Sequence, residues 1–382
     1  MSLESDITRN LPSLQFQSAF DETDGHYLHL RIRSYILTVA ACAQATYFIS
    51  VLNELRQVVL EEYSSRVVHR PSSSRILNTS IQRDPVKVGI IGCGRLGRQL
   101  ATSLLAFAGV RPEELFISTR RPELLQDLAQ RGVWCSFDNQ CLCNKVNVLF
   151  ICCLPSQFGT VAKDIQSFLL SNTIVYSLVG ATTIDRILQS LRFDNVIRPE
   201  FSWATNVTER NLEKHWNTSK DIIQALYDSR IIASCCPLSL NKEEDTVNTS
   251  EQWAEVIIMA FINMCTELKV SKNDSVKLCN QIILGLQDNS TEEHGFVIED
   301  LQAVIPNDQI ISKEDNITST NTDRSTKLFP IFNFKLAYFS HTHIGYKVCY
   351  EGIRKNFIKN FSSKFGKVKV WKGYRSENLT KN

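Results

Sequence analysis

The chain has 382 residues, 43% of them hydrophobic and 21% charged, with a formal net charge of +2. That length suits roughly two or three domains, and the composition is that of an ordinary globular protein. The near-neutral balance excludes a whole-chain field of the kind that holds nucleic acid or an anionic membrane. The first residues, MSLESD, lack the basic and apolar regions of a secretory signal. Several of the twelve cysteines, among them the adjacent pairs Cys152/Cys153 and Cys235/Cys236, fall in apolar runs. They read as small core hydrophobes rather than a disulfide framework, so an intracellular, cytoplasmic protein is expected.

In chain order, residues 1–25 read as a loose leader. Residues 26–67 read as one long helix, or two with a kink. Within it, residues 34–53 carry no charge and are long enough to span a bilayer. Their Thr, Gln, Ser and Ala content, and the charged helical pattern that follows, favour a buried helix, and no membrane association is expected. Residues 68–84, rich in Ser, Arg and Pro, read as a linker, so that 1–84 forms a helical extension. From Pro85 short apolar runs alternate with helical patterns. Strands are predicted at 86–91, 115–118, 133–137, 147–153, 173–179 and 195–198. Helices are predicted after the glycine turn at 92–97, at 122–131, from Pro155 to about Leu170, and at 182–191. That alternation predicts an α/β Rossmann-type parallel sheet over 85–200. Residues 201–245 resist assignment. Trp253–Leu268 and Lys272–Leu286 read as helices, which makes 201–290 a smaller, partly helical C-terminal region. Residues 291–382 read as a polar and then basic tail, poorly ordered. From Glu351 onward it holds nine Lys/Arg against two Glu, with aromatics interleaved. No nucleic-acid-binding motif accompanies that charge, and none is expected to bind.

The chemistry concentrates at Gly92-Cys93-Gly94-Arg95-Leu96-Gly97. This G-x-G-x-x-G follows a predicted strand and opens a predicted helix, as dinucleotide binding requires. Gly92 would allow the tight turn, Gly94 the approach of a pyrophosphate, and Gly97 the close packing of helix on strand. The helix N-terminus offers free N–H groups to phosphate. About 20 residues on, an NAD site places Asp or Glu on the ribose hydroxyls. Here the sequence reads Ser118-Thr119-Arg120-Arg121. Hydroxyls and guanidinium groups would donate to a 2′-phosphate that a carboxylate would repel, so NADP(H) is the expected cofactor, with Arg120 ahead of Arg121.

The runs VGIIGCGRLGRQLA, ISTRR, NVLFICCLPSQ, IVYSLVGATTIDRI and NVIRP together resemble, in order and spacing, the N-terminal domain of pyrroline-5-carboxylate reductases. The resemblance implies that Ser118, Thr119 and Arg120 hold the adenosine phosphate. It implies that Cys153, Leu154 and Pro155 form the loop near the nicotinamide, that Gly180 stands in the turn after the fifth strand, and that Arg198 ends the sixth. It also implies a hydride transfer to a small imine or carbonyl, 1-pyrroline-5-carboxylate to proline in proline biosynthesis, and a homodimer built on C-terminal helices. The chain departs from the family at Leu154, where the family has lysine, and at Pro199–Trp203, where it has Met-Pro-Asn-Thr-Pro. The Ser-Gly-Ser-Gly-Pro-Ala turn that holds the substrate carboxylate has no match. The alternative is therefore a non-catalytic NADP-binding or interaction protein.

Other constellations are weaker. None of the ten tyrosines has a lysine four residues on, against a short-chain dehydrogenase. Cys135, Cys141 and Cys143 lack zinc-finger spacing, and His341 and His343 lack a third ligand, so no metal is expected. His215 reads as exposed. Cys93, at a helix N-terminus, could be a redox-sensitive thiol, but a small residue tolerated in a turn is preferred. No residue is assigned as the catalytic acid.

Overall fold

The structure, a computed structural model, describes residues 29–68, 84–203, 216, 221–239, 247–287, 295–301, 328–340 and 342–365. The first element is one continuous helix, α1 (His29–Val68). Of the two readings the single helix is the one observed; residues 1–28 and, within the proposed linker at 68–84, residues 69–83 lie outside the described residues.

The sheet follows. Strands β1 (Val88–Ile91), β2 (Leu115–Ser118), β3 (Trp134–Ser136), β4 (Val148–Ile151), β5 (Ile174–Ser177) and β6 (Val196–Ile197) lie in the order β3-β2-β1-β4-β5-β6. Every pairing is parallel, with Val88 beside both Leu115 and Val148. β1 and β4 are buried at every residue, which is why they read as unbroken apolar runs. The chain order reverses at β1, the switch point at which such sheets open a crevice.

Alternate side chains of the strands feed two cores. Ile91, Leu149, Ile151, Val175 and Val196 pack with helices α4 (Asn139–Cys143), α5 (Pro155–Ile165) and α6 (Ile184–Leu191). Val88, Ile90, Val148, Phe150 and Tyr176 pack on the other face with α1, α2 (Arg95–Phe107) and the C-terminal helices. α4 lies in a stretch with no predicted helix. Asp138 caps it by accepting from the Cys141 N–H at 2.8 Å. The predicted helix at 122–131 starts as a 3-10 turn, Pro122–Leu125, before α3 (Gln126–Gln130). The predicted strands at 133–137, 147–153 and 173–179 shorten to β3, β4 and β5, and the helix after Pro155 ends at Ile165.

Beyond β6 the unassigned stretch contains β7 (Phe201–Trp203), α7 (Ile222–Leu226) and α8 (Ser229–Ser234). β7 pairs antiparallel with β8 (Val247–Thr249). Then come α9 (Gln252–Glu267), α10 (Lys272–Ile282) and α11 (Ile298–Leu301).

The expected poorly ordered tail requires a correction over 328–365. This segment forms α12 (Lys335–Phe339), α13 (His343–Val348) and α14 (Glu351–Ser363). Ile353, Phe357, Phe361 and Phe365 are buried. They recur every four residues, so one face of α14 is apolar while its lysines occupy the other. His343 opens α13 behind its cap Thr342, rather than standing on a strand, and His341 is outside the described residues.

α1 belongs to the core, with Tyr47, Phe48, Ile49, Val51 and Leu52 fully buried. It is long and apolar enough to cross a membrane, yet 89% of its apolar window is buried inside the protein. Asn53 ties it to the sheet, its Nδ2 donating to the Ala108 carbonyl at 3.1 Å and its Oδ1 accepting from the Val86 N–H at 2.9 Å. Gln44 Nε2 donates to the Cys235 carbonyl and to Thr249 Oγ1. Tyr47 packs its ring against Trp253, Phe357 and Phe361.

Candidate functional site

A cleft of about 1420 Å³ opens at the C-terminal edge of the sheet. Its size exceeds the usual small-ligand pocket, which rarely passes roughly 1,000 Å³, and suits an extended molecule. Of the cofactor residues expected from the sequence, Gly92, Cys93, Gly94, Arg95 and Leu96 of the β1–α2 turn, Ser118, Thr119 and Arg120 after β2, and Cys153, Leu154 and Pro155 after β4 line it, and Gly97 does not.

The three glycines of the turn are required for three reasons. Gly92 has φ +90°, and a Cβ there would lie 2.9 Å from the Cys153 nitrogen. A Cβ on Gly97 would lie 2.2 Å from the Gly92 carbonyl oxygen, so α2 packs against the turn only because Gly97 has none. Gly94 faces open space, with nothing within 4 Å of an added Cβ. It also caps α2 without any side-chain hydrogen bond. The helix therefore presents its first N–H groups to the cleft, as an anion site requires. The turn is held by the Gly92 N–H, which donates to the Ser118 carbonyl at 2.9 Å and so couples β1's end to β2's.

At the end of β2, Ser118 is buried and its Oγ has no hydrogen-bond partner among the described residues. Such an orphan is unusual in a folded protein and fits a ligand that supplies the partner. Arg120 and Arg121 are exposed at the rim. The described lining holds six arginines and one carboxylate, Asp164. That carboxylate is already held by the Asn139 and Gln140 amides, at 2.7 and 2.9 Å. The lining is therefore positively charged and suits an anion, although Arg98 and Arg198 are also paired, with Asp127 and Glu200.

Cys93 lines the turn, but burial pushes its thiol up to about 12 and outweighs the helix N-terminus. Cys153 is pushed up to about 11 by burial. Both are neutral thiols at physiological pH, in line with the bland reading of Cys93. Leu154 is 62% exposed, immediately before Pro155 opens α5.

The cleft's far end lies past β5 and β6. Gly180 leaves room for a neighbour, and Ala181 adopts φ +50°. The Arg198 N–H donates to Tyr338 Oη at 2.9 Å, and its guanidinium pairs with Glu200. Trp203, in β7, closes this end together with α1. Sequence reasoning missed the α1 wall, since a helix uncharged all round over residues 34–53 gives no signal of which residues meet a ligand. His215 is outside the described residues.

Residues 87–180 match the family described as NADP oxidoreductase, coenzyme F420-dependent. The mouse NADP-dependent oxidoreductase domain-containing protein 1 is 33% identical over 279 residues, covering 73% of this chain and 73% of that protein. The chain belongs to the family of NADP-dependent oxidoreductase domain-containing protein 1. The Escherichia coli pyrroline-5-carboxylate reductase is 27% identical over 112 residues, which cover 29% of this chain and 42% of the enzyme. Among solved structures, the pyrroline-5-carboxylate reductase of Coxiella burnetii aligns with 73% of this chain and 96% of its own, at 16% identity and a TM-score of 0.29. The Plasmodium falciparum pyrroline carboxylate reductase with NADP bound covers 74% of this chain and 97% of its own, at 15% identity and a TM-score of 0.25.

Proposed function

We propose that the chain binds NADP(H) in this cleft and serves hydride transfer to a small imine. The observation that carries the reading is the end of β2, where Ser118, Thr119 and Arg120 stand in the lining with no carboxylate beside them. A 2′-phosphate would supply the acceptor that the buried Ser118 Oγ lacks. The pyrophosphate would lie over Gly94 at the α2 N-terminus. When bound, the nicotinamide supplies the hydride. The protein's part is to orient it and to shape the substrate end between the β4 and β5 loops and α1.

The choice of imine follows from proton balance. Reduction of a carbonyl needs a proton for the developing alkoxide, usually from His, Lys, Tyr or a carboxylic acid. The described lining contains no His, Lys, Tyr or Glu, and its one Asp is engaged by two amides. A protonated imine brings its own proton and requires only the hydride. The first candidate is 1-pyrroline-5-carboxylate, with proline as product.

Fluorescence titration should show NADPH binding well ahead of NADH, and Arg120→Glu should narrow or reverse that order. Turnover is then assayed with 1-pyrroline-5-carboxylate and a panel of cyclic imines. Equal affinity for the two nucleotides would refute the NADP assignment. A second reading, a cofactor-binding protein without turnover, draws on the exposed Leu154 at the loop after β4. NADPH binding with no oxidation across the imine panel would favour it.

A further inference from the structure

One stripe of α1 forms a wall of the cleft. Leu30, Arg33, Ser34, Leu37, Thr38 and Ala41 all line it. Their spacing by threes and fours places them on a single helix face. Arg33 is the only charged residue in that stripe. Its guanidinium carbon lies 5.3 Å from the Trp203 ring centroid. Its Nε is buried with no hydrogen-bond partner, and no carboxylate among the described residues pairs with it. Arg198 lines the same cleft; its guanidinium pairs with Glu200, and its Nε is buried without a partner.

A buried guanidinium nitrogen without an acceptor is costly until one arrives. Its planar fork matches a carboxylate in the bidentate manner. The cofactor's own phosphates are poorly placed to be that acceptor. The glycine turn follows β1, whereas Arg198 follows β6, three strands away in the sheet order. At the usual strand spacing that is about 14 Å.

We propose that Arg33, seated on Trp203 in the cleft that Arg198 also lines, is the anion subsite that receives the carboxylate of the substrate. The proposal rests on the cofactor reading above and adds a specificity-determining residue from outside the sheet domain. Arg33 holds the carboxylate end of the substrate, and the apolar side chains Leu37 and Ala41 flank it along the same helix face. Anionic imines are thereby selected over neutral ones.

The test uses the full-length protein saturated with NADP+ and titrated calorimetrically with L-proline, acetate and benzoate, with the matching amides as uncharged controls. At least one carboxylate should bind wild type more tightly than its amide. Arg33→Leu and Arg33→Gln should each weaken that binding by about tenfold or more. NADPH affinity should stay within about twofold of wild type in both variants, which also reports that they fold. Carboxylate binding unchanged in both variants overturns the proposal, as does the absence of carboxylate binding in a wild-type protein that binds NADPH. Parallel loss of NADPH affinity in the two variants assigns Arg33 to the cofactor instead, and also overturns it. Failure of wild type to bind NADPH at all would remove the cofactor reading and this proposal with it.

Discussion

At the scale of single residues, the glycine turn separates folding from binding. Gly97→Ala forces a Cβ against a backbone oxygen 2.2 Å away, so the helix must shift. Urea denaturation should report a loss of about 1–3 kcal/mol, the usual cost of overpacking. Gly94→Ala meets nothing in the protein. It should leave stability within about 1 kcal/mol of wild type, while weakening NADPH binding in a fluorescence titration. If the two variants behaved alike, the turn would not be divided in this way. Glu255 offers a second residue-scale test. Burial pushes its carboxyl up to about 7 from 4.5, against the lowering effect of the hydrogen bond donated by Thr342 Oγ1. The folded state thus holds its proton above the pH at which the unfolded chain releases it. Stability should fall as pH rises from about 4.5 to about 7 and then level off, by an amount on the order of 3 kcal/mol. Glu255→Gln should flatten that part of a pH–stability profile and raise stability at pH 8.

At the scale of elements, the strands were legible because parallel strands buried on both faces are short runs of Val, Ile, Leu and Phe. The glycine turn was legible because each of its constraints leaves a residue that nothing else can replace. α14 was not read as a helix, although its apolar positions recur every four residues. Its lysines dominate the composition, and net charge says nothing about which face they occupy. Phe361, buried against Tyr47, Phe357 and Phe365, should cost about 3–5 kcal/mol when changed to Ala. Lys359 is exposed on the same helix. Lys359→Ala should change stability by no more than about 0.5 kcal/mol, so chemical denaturation of the pair distinguishes a docked helix from a solvated tail.

At the scale of the molecule, α1, the sheet and the C-terminal helices share one core. A fragment beginning at residue 84 would expose the partners of a buried forty-residue helix. Gel filtration and circular dichroism should find it aggregated or unfolded, and a folded, monomeric fragment would show that the sheet domain stands alone. A homodimer built on the C-terminal helices was expected, and α9 is the longest of those described. Most of its residues, from Trp253 to Ile262 without a break, are buried within the chain. Substitutions along α9 should therefore reach stability before oligomeric state.

The amino-acid sequence by itself determined the sheet, the glycine turn and the polar and basic cleft residues after β2. Each is a local pattern: a run of apolar residues, a motif in its strand–turn–helix setting, a missing carboxylate at a known spacing. Only the tertiary structure decided what covers the sheet and what closes the cleft. The central stretch of α1, residues 34–53, is uncharged on all sides, so periodicity cannot say which stripe meets a neighbour and which meets a ligand. That choice depends on Asn53, Gln44 and Tyr47 finding partners far away in the chain, which places Arg33 over Trp203.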